Sequence, residues 1–422
     1  MSATTTVDGT AHAAIGSACQ DVHDARESDH VDGVPAALVA RPTSTEEVSE
    51  TMRAADAHAL TVVATGRRTK LTWGRPPASA DVLLDISRLD RVLEHAAGDL
   101  IVVTQAGARL SDVQDTVSKS RQMLAVDETV PGSSIGGTLA AGTSGPGRVA
   151  AGTMRDLLIG VTVVRADGVV AKAGGRVVKN VAGYDVGKLL AGSFGTLAVV
   201  TEAIFRLHPL PATRRWVTVP FDDAAHAYRL TQDVVHSQCV PQAVEVDWPA
   251  DGSGSLGVLL AGKEDGVAGR TSAVLGLLGT EAHETDVAPP GWSSYPWDPA
   301  ASGDDRSTAL KLTFALSGLP AVLAAARSTG TPVALRGSAG AGVVYAAIPP
   351  RTEVADVGAT IDTLRPVCMR HGGSLVVLDA PAAVKQTVDT WGPIPAIDLM
   401  RRVKDQFDPH HRLAPGRFVG GI

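Results

Sequence analysis

Apolar residues recur at helical spacing between Glu46 and His58, where Val48, Met52 and Ala55 follow a Ser/Thr cap region. This predicts a helix that leads into a strand at Thr61 to Ala64. Short apolar runs at Val82 to Leu84 and Leu100 to Thr104 predict further strands, and a helix is expected near Leu110 to Ser120. Ile159 to Val164 and Val169 to Lys172 flank Ala166-Asp167-Gly168, the pattern of a hairpin. Leu197 to Leu207 is another β segment, and the proline-containing stretch His208 to Thr213 marks a domain boundary.

Beyond Trp216 the pattern changes. Strands are expected at Trp216 to Phe221, Ala243 to Trp248 and Leu256 to Ala261, with helices at Ala224 to Val235 and Val267 to Leu278. This is a split βαβ order. It recurs as Leu310 to Phe314, Pro320 to Arg327, Val333 to Arg336, Val343 to Ile348, Val354 to His371 and Leu375 to Leu378. Two such units predict an antiparallel sheet with helices on one face, an α+β second domain. The joint VAPPGWSSYPWDPAASGDD, rich in Pro, Gly and Ser, is expected to be a long surface loop.

With 422 residues the chain is long enough for two or three domains with real cores. A net charge of −7 without a basic cluster argues against nucleic acid or an anionic membrane surface as the main partner. Cys19, Cys239 and Cys368 are too scattered for a zinc, redox-pair or iron–sulfur motif, so free thiols in a cytoplasmic protein are expected. The first twenty residues lack the pattern of a secretory signal and read, with residues up to 30, as a flexible tail. Val186 to Phe205 is apolar but holds Lys188, Glu202 and three glycines, and it fails as a membrane span.

Candidate chemistry centres on PGSSIGGTLAAGTSGPGR, Pro131 to Arg148. Its small residues allow close approach of a ligand to the backbone, and inward N–H groups suit phosphate. The spacing fits neither G-x-x-x-x-G-K-[ST] nor a strand-borne G-x-G-x-x-G followed by an acidic residue. The order GG-T-L-A, G-T-x-RD, VKN-x-AGYD and G-x-x-GTL from Gly136 to Leu197 resembles the FAD domain of the vanillyl-alcohol oxidase/p-cresol methylhydroxylase (VAO/PCMH) superfamily. Within it the chain is most similar to the smaller flavin-binding subunits of bacterial glycolate oxidase (glycolate dehydrogenase). The resemblance spans about Ala36 to Leu210 and resumes at Met400 to Phe418, which resembles the family's closing DP-x-x-x-x-x-PGR segment.

The resemblance implies an α+β chain: a two-lobed PCMH-type FAD-binding domain over residues 31–212, an α+β cap with an antiparallel sheet over 213–385, and a segment 386–422 returning to the FAD domain. It implies non-covalent FAD, since neither Gly-rich loop holds a His or Cys. Position by position, Gly66 and Thr69 fall in the first pyrophosphate loop, and Gly132, Ser133, Gly136, Gly137 and Thr138 in the second. Ala141, Gly142, Gly152, Thr153, Arg155 and Asp156 continue the cofactor wall. Asn180, Gly183, Tyr184 and Asp185 fall near the flavin ring, and Gly195, Thr196, Val200 and Thr201 in the last flavin-contacting strand. The family's first loop often has three glycines, whereas this chain has Arg67 and Arg68, which either reach the phosphates or face solvent.

Oxidation of a 2-hydroxy acid needs a base for the hydroxyl proton and a cation for the carboxylate. Metal-assisted members of the superfamily carry an H-x-GDGN-x-H type element. The comparable ALRGSAGAGVVYAAIP has Arg336 and Tyr345 but no histidine pair. Tyr184, Arg336 and His371 are therefore the catalytic candidates, each with a structural alternative: a packed aromatic, a salt-bridged strand arginine and a helix-end histidine. His208, His410 and His411 have structural or exposed-loop alternatives of the same kind. The resemblance implies a role in oxidising glycolate to glyoxylate with a larger flavin subunit and an iron–sulfur subunit, the latter taking the electrons. A stand-alone 2-hydroxy-acid dehydrogenase, for instance for D-lactate, and a structural subunit are the alternatives.

Overall fold

The computed structural model describes residues 7–176 and 185–422. The chain divides into two compact units. The first comprises Met1–Thr143, Thr153–Pro209 and Ile394–Ile422; the second comprises Ser144–Gly152 and Leu210–Pro393. The Gly-rich run is thus divided between them, with its Ser144 to Arg148 end in the second unit.

In the first unit, β1 (Val22–Asp24), β2 (Ala36–Ala40), β3 (Val62–Thr65) and β4 (Ala80–Asp85) form a sheet of order β1-β2-β4-β3. β4 runs parallel to both β2 and β3. The helix Thr45–Ala57 connects β2 to β3, as parallel pairing requires. Ser44 caps it by accepting from the Glu47 N–H, and Val48, Met52 and Ala55 are its buried face. A five-stranded sheet follows from β5 (Val92–Ala96), β6 (Ile101–Gln105), β8 (Leu158–Val164), β9 (Val170–Gly174) and β10 (Val199–Arg206), in the order β5-β6-β10-β8-β9. β7 (Gln122–Met123) pairs with β11 (His208–Pro209). The β8–β9 hairpin turns at Gly168, as its Ala-Asp-Gly sequence predicts.

From residue 7 to residue 30 the described chain corrects the expectation of a flexible tail. Gly9–Ala18 is a helix capped by Asp8, whose carboxylate accepts from the Ala11 N–H at 2.7 Å. Ala11, Ile15 and Cys19 are buried in the first unit's apolar core, and β1 adds a strand to β2. Burial of these side chains offsets the entropy of ordering the segment.

The second unit holds one eight-stranded antiparallel sheet, in the order β15-β12-β14-β13-β17-β18-β16-β19. Its strands are β12 (Thr213–Phe221), β13 (Ala243–Trp248), β14 (Gly254–Gly262), β15 (His283–Thr285), β16 (Thr308–Thr313), β17 (Ala334–Ser338), β18 (Val343–Ile348) and β19 (Ser374–Asp379). The two split units join into this sheet where β13 pairs with β17. The helices Ala224–Val235, Glu264–Leu278, Leu319–Ser328 and Val354–Arg370 share one apolar core with the strands. The Pro/Gly-rich joint is not all surface. Tyr295 and Trp297 are buried and stacked at 4.5 Å, and both meet Tyr345 edge-on.

Candidate functional site

The loop that leaves β3 packs against the loop and helix at 132–141, and an open cleft lies between them within the first unit. Gly66 to Leu71 form one wall, and Ser134, Gly136, Gly137, Ala140 and Ala141 another. Leu190, Ser193 to Gly195, Ala198 to Val200 and Arg417 complete it.

Two of the glycines owe their identity to protein packing. A Cβ on Gly136 would stand 2.9 Å from the Ala106 Cβ, and one on Gly66 would strike the Ser134 hydroxyl. Gly66 therefore lets the first loop lie against Ser134, and Gly136 lets the second lie against Ala106, because neither has a side chain. Ser134 caps the helix Ile135–Ala141 through the Gly137 N–H at 3.2 Å. Gly132 differs: it has open space around it and φ +76, a backbone shape that favours glycine.

The first-loop arginines neither reach freely into solvent nor point their charge at an open site. Arg68 adopts φ +60, and its guanidinium pairs with Asp29 at 2.6 Å and Asp85 at 3.5 Å. Burial pushes the Asp29 carboxyl up, but the Arg26 N–H and Arg68 outweigh it and hold it below the usual range. Arg67 donates to the Gly107 carbonyl at 3.2 Å and pairs with Asp90 at 3.4 Å. Both residues still line the cleft.

Sequence reasoning missed Lys70 and Arg417. The Lys70 ammonium donates to Ser133 Oγ at 2.6 Å and Thr69 Oγ1 at 3.2 Å. Burial pulls its pKa down to about 8, against an opposing effect of Glu128. Arg417 donates through Nη2 to the carbonyls of Lys70, Leu71 and Trp73 and so fixes the loop's far end. Its place in the closing PGR motif was the available signal.

Other expected residues have structural duties. Ser133 donates to the Val130 carbonyl, and Thr196 to the Ser193 carbonyl. Thr201 is buried, bonded to Thr45 and Thr162. Gly142 ends the helix Ile135–Ala141 with φ +62. Thr138 is buried, and its Oγ1 has no hydrogen-bond partner among the described residues. Thr153 and Asp156 form a capping box, both Thr153 donors lying 2.8 Å from the Asp156 carboxylate. The Thr153 N–H is the main reason the Asp156 pKa is lowered. Arg155 lies in that same short helix. Gly152 belongs to the second unit's segment, and Asp185 pairs with Lys188 at 3.5 Å. None of these lines the cleft. Asn180, Gly183 and Tyr184 lie outside the described residues.

Of the catalytic candidates, Arg336 and His371 belong to the second unit. The Arg336 fork is bidentate on Asp247, with both bonds at 3.0 Å, which corrects a free carboxylate-binding role. His371 caps the helix Val354–Arg370, and its carbonyl accepts from the Ala315 N–H at 2.8 Å, so its place is that of a helix-end residue. Arg148 donates to Tyr345 Oη at 3.0 Å and to the Ser144 carbonyl at 2.9 Å. His208 is half-buried in the β7–β11 pair, with its Nε2 shielded from solvent, while His410 and His411 bond to Asp56 and Asp405.

Among the described residues, the cleft lining holds three arginines and one lysine but no Asp or Glu. Its closely packed small residues and buried Lys70 ammonium suit a flat ligand bearing a pyrophosphate. Residues 36–174 match the family model described as FAD binding domain, and residues 385–418 match FAD linked oxidases, C-terminal domain. Glycolate oxidase subunit GlcD of Bacillus subtilis is 30% identical over 213 residues, covering 50% of this chain and 45% of that protein. D-2-hydroxyglutarate dehydrogenase of Xanthomonas citri pv. viticola is 36% identical over 174 residues, covering 41% of this chain and 37% of that protein. D-lactate dehydrogenase of Archaeoglobus fulgidus is 29% identical over 208 residues, covering 49% and 46%. The matches thus span less than half the length of these relatives. Among solved structures, chitooligosaccharide oxidase superposes with a TM-score of 0.69 at 16% identity, covering 95% of this chain and 97% of that one. An alkyldihydroxyacetonephosphate synthase gives a TM-score of 0.68 at 16% identity, covering 94% and 82%, and these two likenesses concern fold. The chain carries an FAD-binding domain over residues 36–174 and the C-terminal segment of FAD-linked oxidases over residues 385–418, and its cofactor is FAD.

Proposed function

We propose that the chain is a flavin-binding subunit of an assembly that oxidises glycolate to glyoxylate and passes electrons to an iron–sulfur partner. The observation that carries this reading is the acid-free, cation-lined cleft of the first unit. The relatives' names support the substrate class, because glycolate, D-lactate and D-2-hydroxyglutarate are all 2-hydroxy acids. When bound, FAD supplies the two-electron acceptor for the substrate's Cα–H. The described cleft residues hold and orient an anionic cofactor; they include no His, Asp or Glu to take a hydroxyl proton. Arg336, the second unit's candidate for the substrate carboxylate, is already committed to Asp247. In this proposal, substrate oxidation takes place mainly in the larger flavin subunit, and this chain relays electrons or supports assembly.

The test is co-expression with the larger flavin and iron–sulfur partners, omitting each subunit in turn. Flavin content and glycolate-dependent dye reduction are measured in each preparation. A yellow chain that stays inactive alone and completes the activity of the assembly supports the proposal. Dye reduction by this chain alone at the assembly's rate overturns the division of labour. The second reading, a stand-alone D-2-hydroxy-acid dehydrogenase, draws support from the D-lactate relatives and predicts D-lactate-dependent turnover without partners. A colourless chain after purification with added FAD would contradict both and favour a structural subunit.

A further inference from the structure

Lys70 is only 9% exposed. Its two hydrogen-bond partners are hydroxyls on the facing loops, Thr69 and Ser133. Among the described residues no carboxylate lies within 4.0 Å of its ammonium. Glu128, the acid that acts on it electrostatically, accepts from the Gly132 N–H at 2.9 Å. Arg68 and Arg67, by contrast, have carboxylate partners. A buried ammonium without an adjacent anion is costly, and the low pKa reflects that cost. Lys70 also lines the cleft, so an anion entering there meets a cation whose desolvation has already occurred.

We infer that the Lys70 ammonium is a direct ligand of the FAD pyrophosphate, held between the two loops by Thr69 and Ser133. The inference rests on FAD occupying this cleft and adds a side-chain contact to loops read as binding through backbone N–H groups. Ser133 Oγ already donates to Val130 O, so it presents a lone pair to Lys70 and fixes the ammonium's direction. One ammonium proton remains for a phosphate oxygen.

The experiment uses the full chain stripped of flavin, in wild-type, Lys70→Met and Lys70→Arg forms. FAD binding is followed by flavin fluorescence, ADP and riboflavin binding by calorimetry, and apo stability by thermal melting. Lys70→Met is expected to bind FAD and ADP about ten- to a hundredfold more weakly, since a charge-assisted bond is lost. Its riboflavin binding stays unchanged, and its apo form melts above wild type because the uncompensated charge is gone. Lys70→Arg retains most of the FAD affinity. Equal FAD affinity in Lys70→Met and wild type overturns the inference, as does an ADP affinity that does not fall. An apo melting point lowered in step with affinity makes Lys70 a packing residue and also overturns it.

Wild type alone gives a second measurement should the variants misfold. FAD affinity should weaken by up to about tenfold per pH unit above about 8, because binding then requires proton uptake. The charged groups around Lys70 are Arg67, Arg68 and Arg417 in the cleft lining and Glu128, which acts on it electrostatically. A flat affinity from pH 7 to 9.5 overturns the inference. Wild type that fails to bind FAD at any pH defeats the cofactor assignment itself, whereas tight, Lys70-independent binding defeats only this step.

Discussion

Arg68 holds a left-handed backbone angle that glycine adopts more readily, and the reason lies in its side chain. Its guanidinium reaches Asp29 and Asp85, which lie on other parts of the first unit, and these pairs offset the strain. Asp29→Asn should therefore loosen the loop that forms one wall of the cleft. The variant is expected to lose about 1–3 kcal/mol of stability at pH 7. Its pH dependence has a definite sign. The Asp29 carboxyl sits below its unfolded value, so its contribution is present above about pH 4 and is lost as pH falls through the folded value. Urea midpoints at pH 7 and pH 3 should differ less in Asp29→Asn than in wild type. Equal midpoints for the two proteins at pH 7 would show that the ion pair does not hold the loop.

At the level of elements, periodicity carried most of the information. The helix Ala224–Val235 and the strands Ala243–Trp248 and Val343–Ile348 coincide with the ranges their patterns predict. Gly9–Ala18 escaped notice because Ala11 and Ile15 are its only buried anchors among small residues. The site was legible to the same degree. Glycines announce close approach, but a lysine is ordinarily read as solvent-facing, so Lys70 and Lys404 were hidden. Lys404, on the helix Ile397–Phe407, is fully buried. Its ammonium pairs with Asp408 at 2.6 Å and donates to Thr196 O at 2.7 Å and Leu413 O at 2.9 Å. Burial pulls its pKa down, and Asp408 opposes this. Asp408 in turn accepts from the Arg412 and Leu413 N–H groups, beside the point where Leu413 bridges to Val62 of β3. One pair therefore ties the C-terminal segment to the strand that feeds the first loop. Lys404→Met should leave Asp408 buried and unpaired, costing about 3–5 kcal/mol. Lys404→Met/Asp408→Asn should cost less than the sum of the single changes, and chemical denaturation of all four proteins measures the coupling. Additive costs would mean that the pair acts as two independent groups.

Across the whole molecule, each unit has its own main apolar core, the first with a further small cluster around Val39, Val63 and Leu83, and every residue lining the cleft belongs to the first unit. The second unit's main segment, Leu210–Pro393, lies in sequence between parts of the first unit, so unfolding it need not release the C-terminal segment from β3. Two cores of this kind should give two calorimetric transitions. A ligand that contacts one core raises the transition of that core alone, by about 2.7 kcal/mol at a hundred times its dissociation constant. Adding FAD to the apo chain is therefore expected to move one transition upward and leave the other within error. Lys404→Met should lower that same FAD-sensitive transition, because Lys404 and the cleft share the first unit. Breaking the Arg336 pair with Asp247→Asn should lower the other one. Scans of apo and FAD-loaded forms of the three proteins separate these effects. If FAD shifted both transitions equally in wild type, the cofactor would have to engage the second unit as strongly as the first. The assignment of its binding energy to the first-unit cleft would then fail.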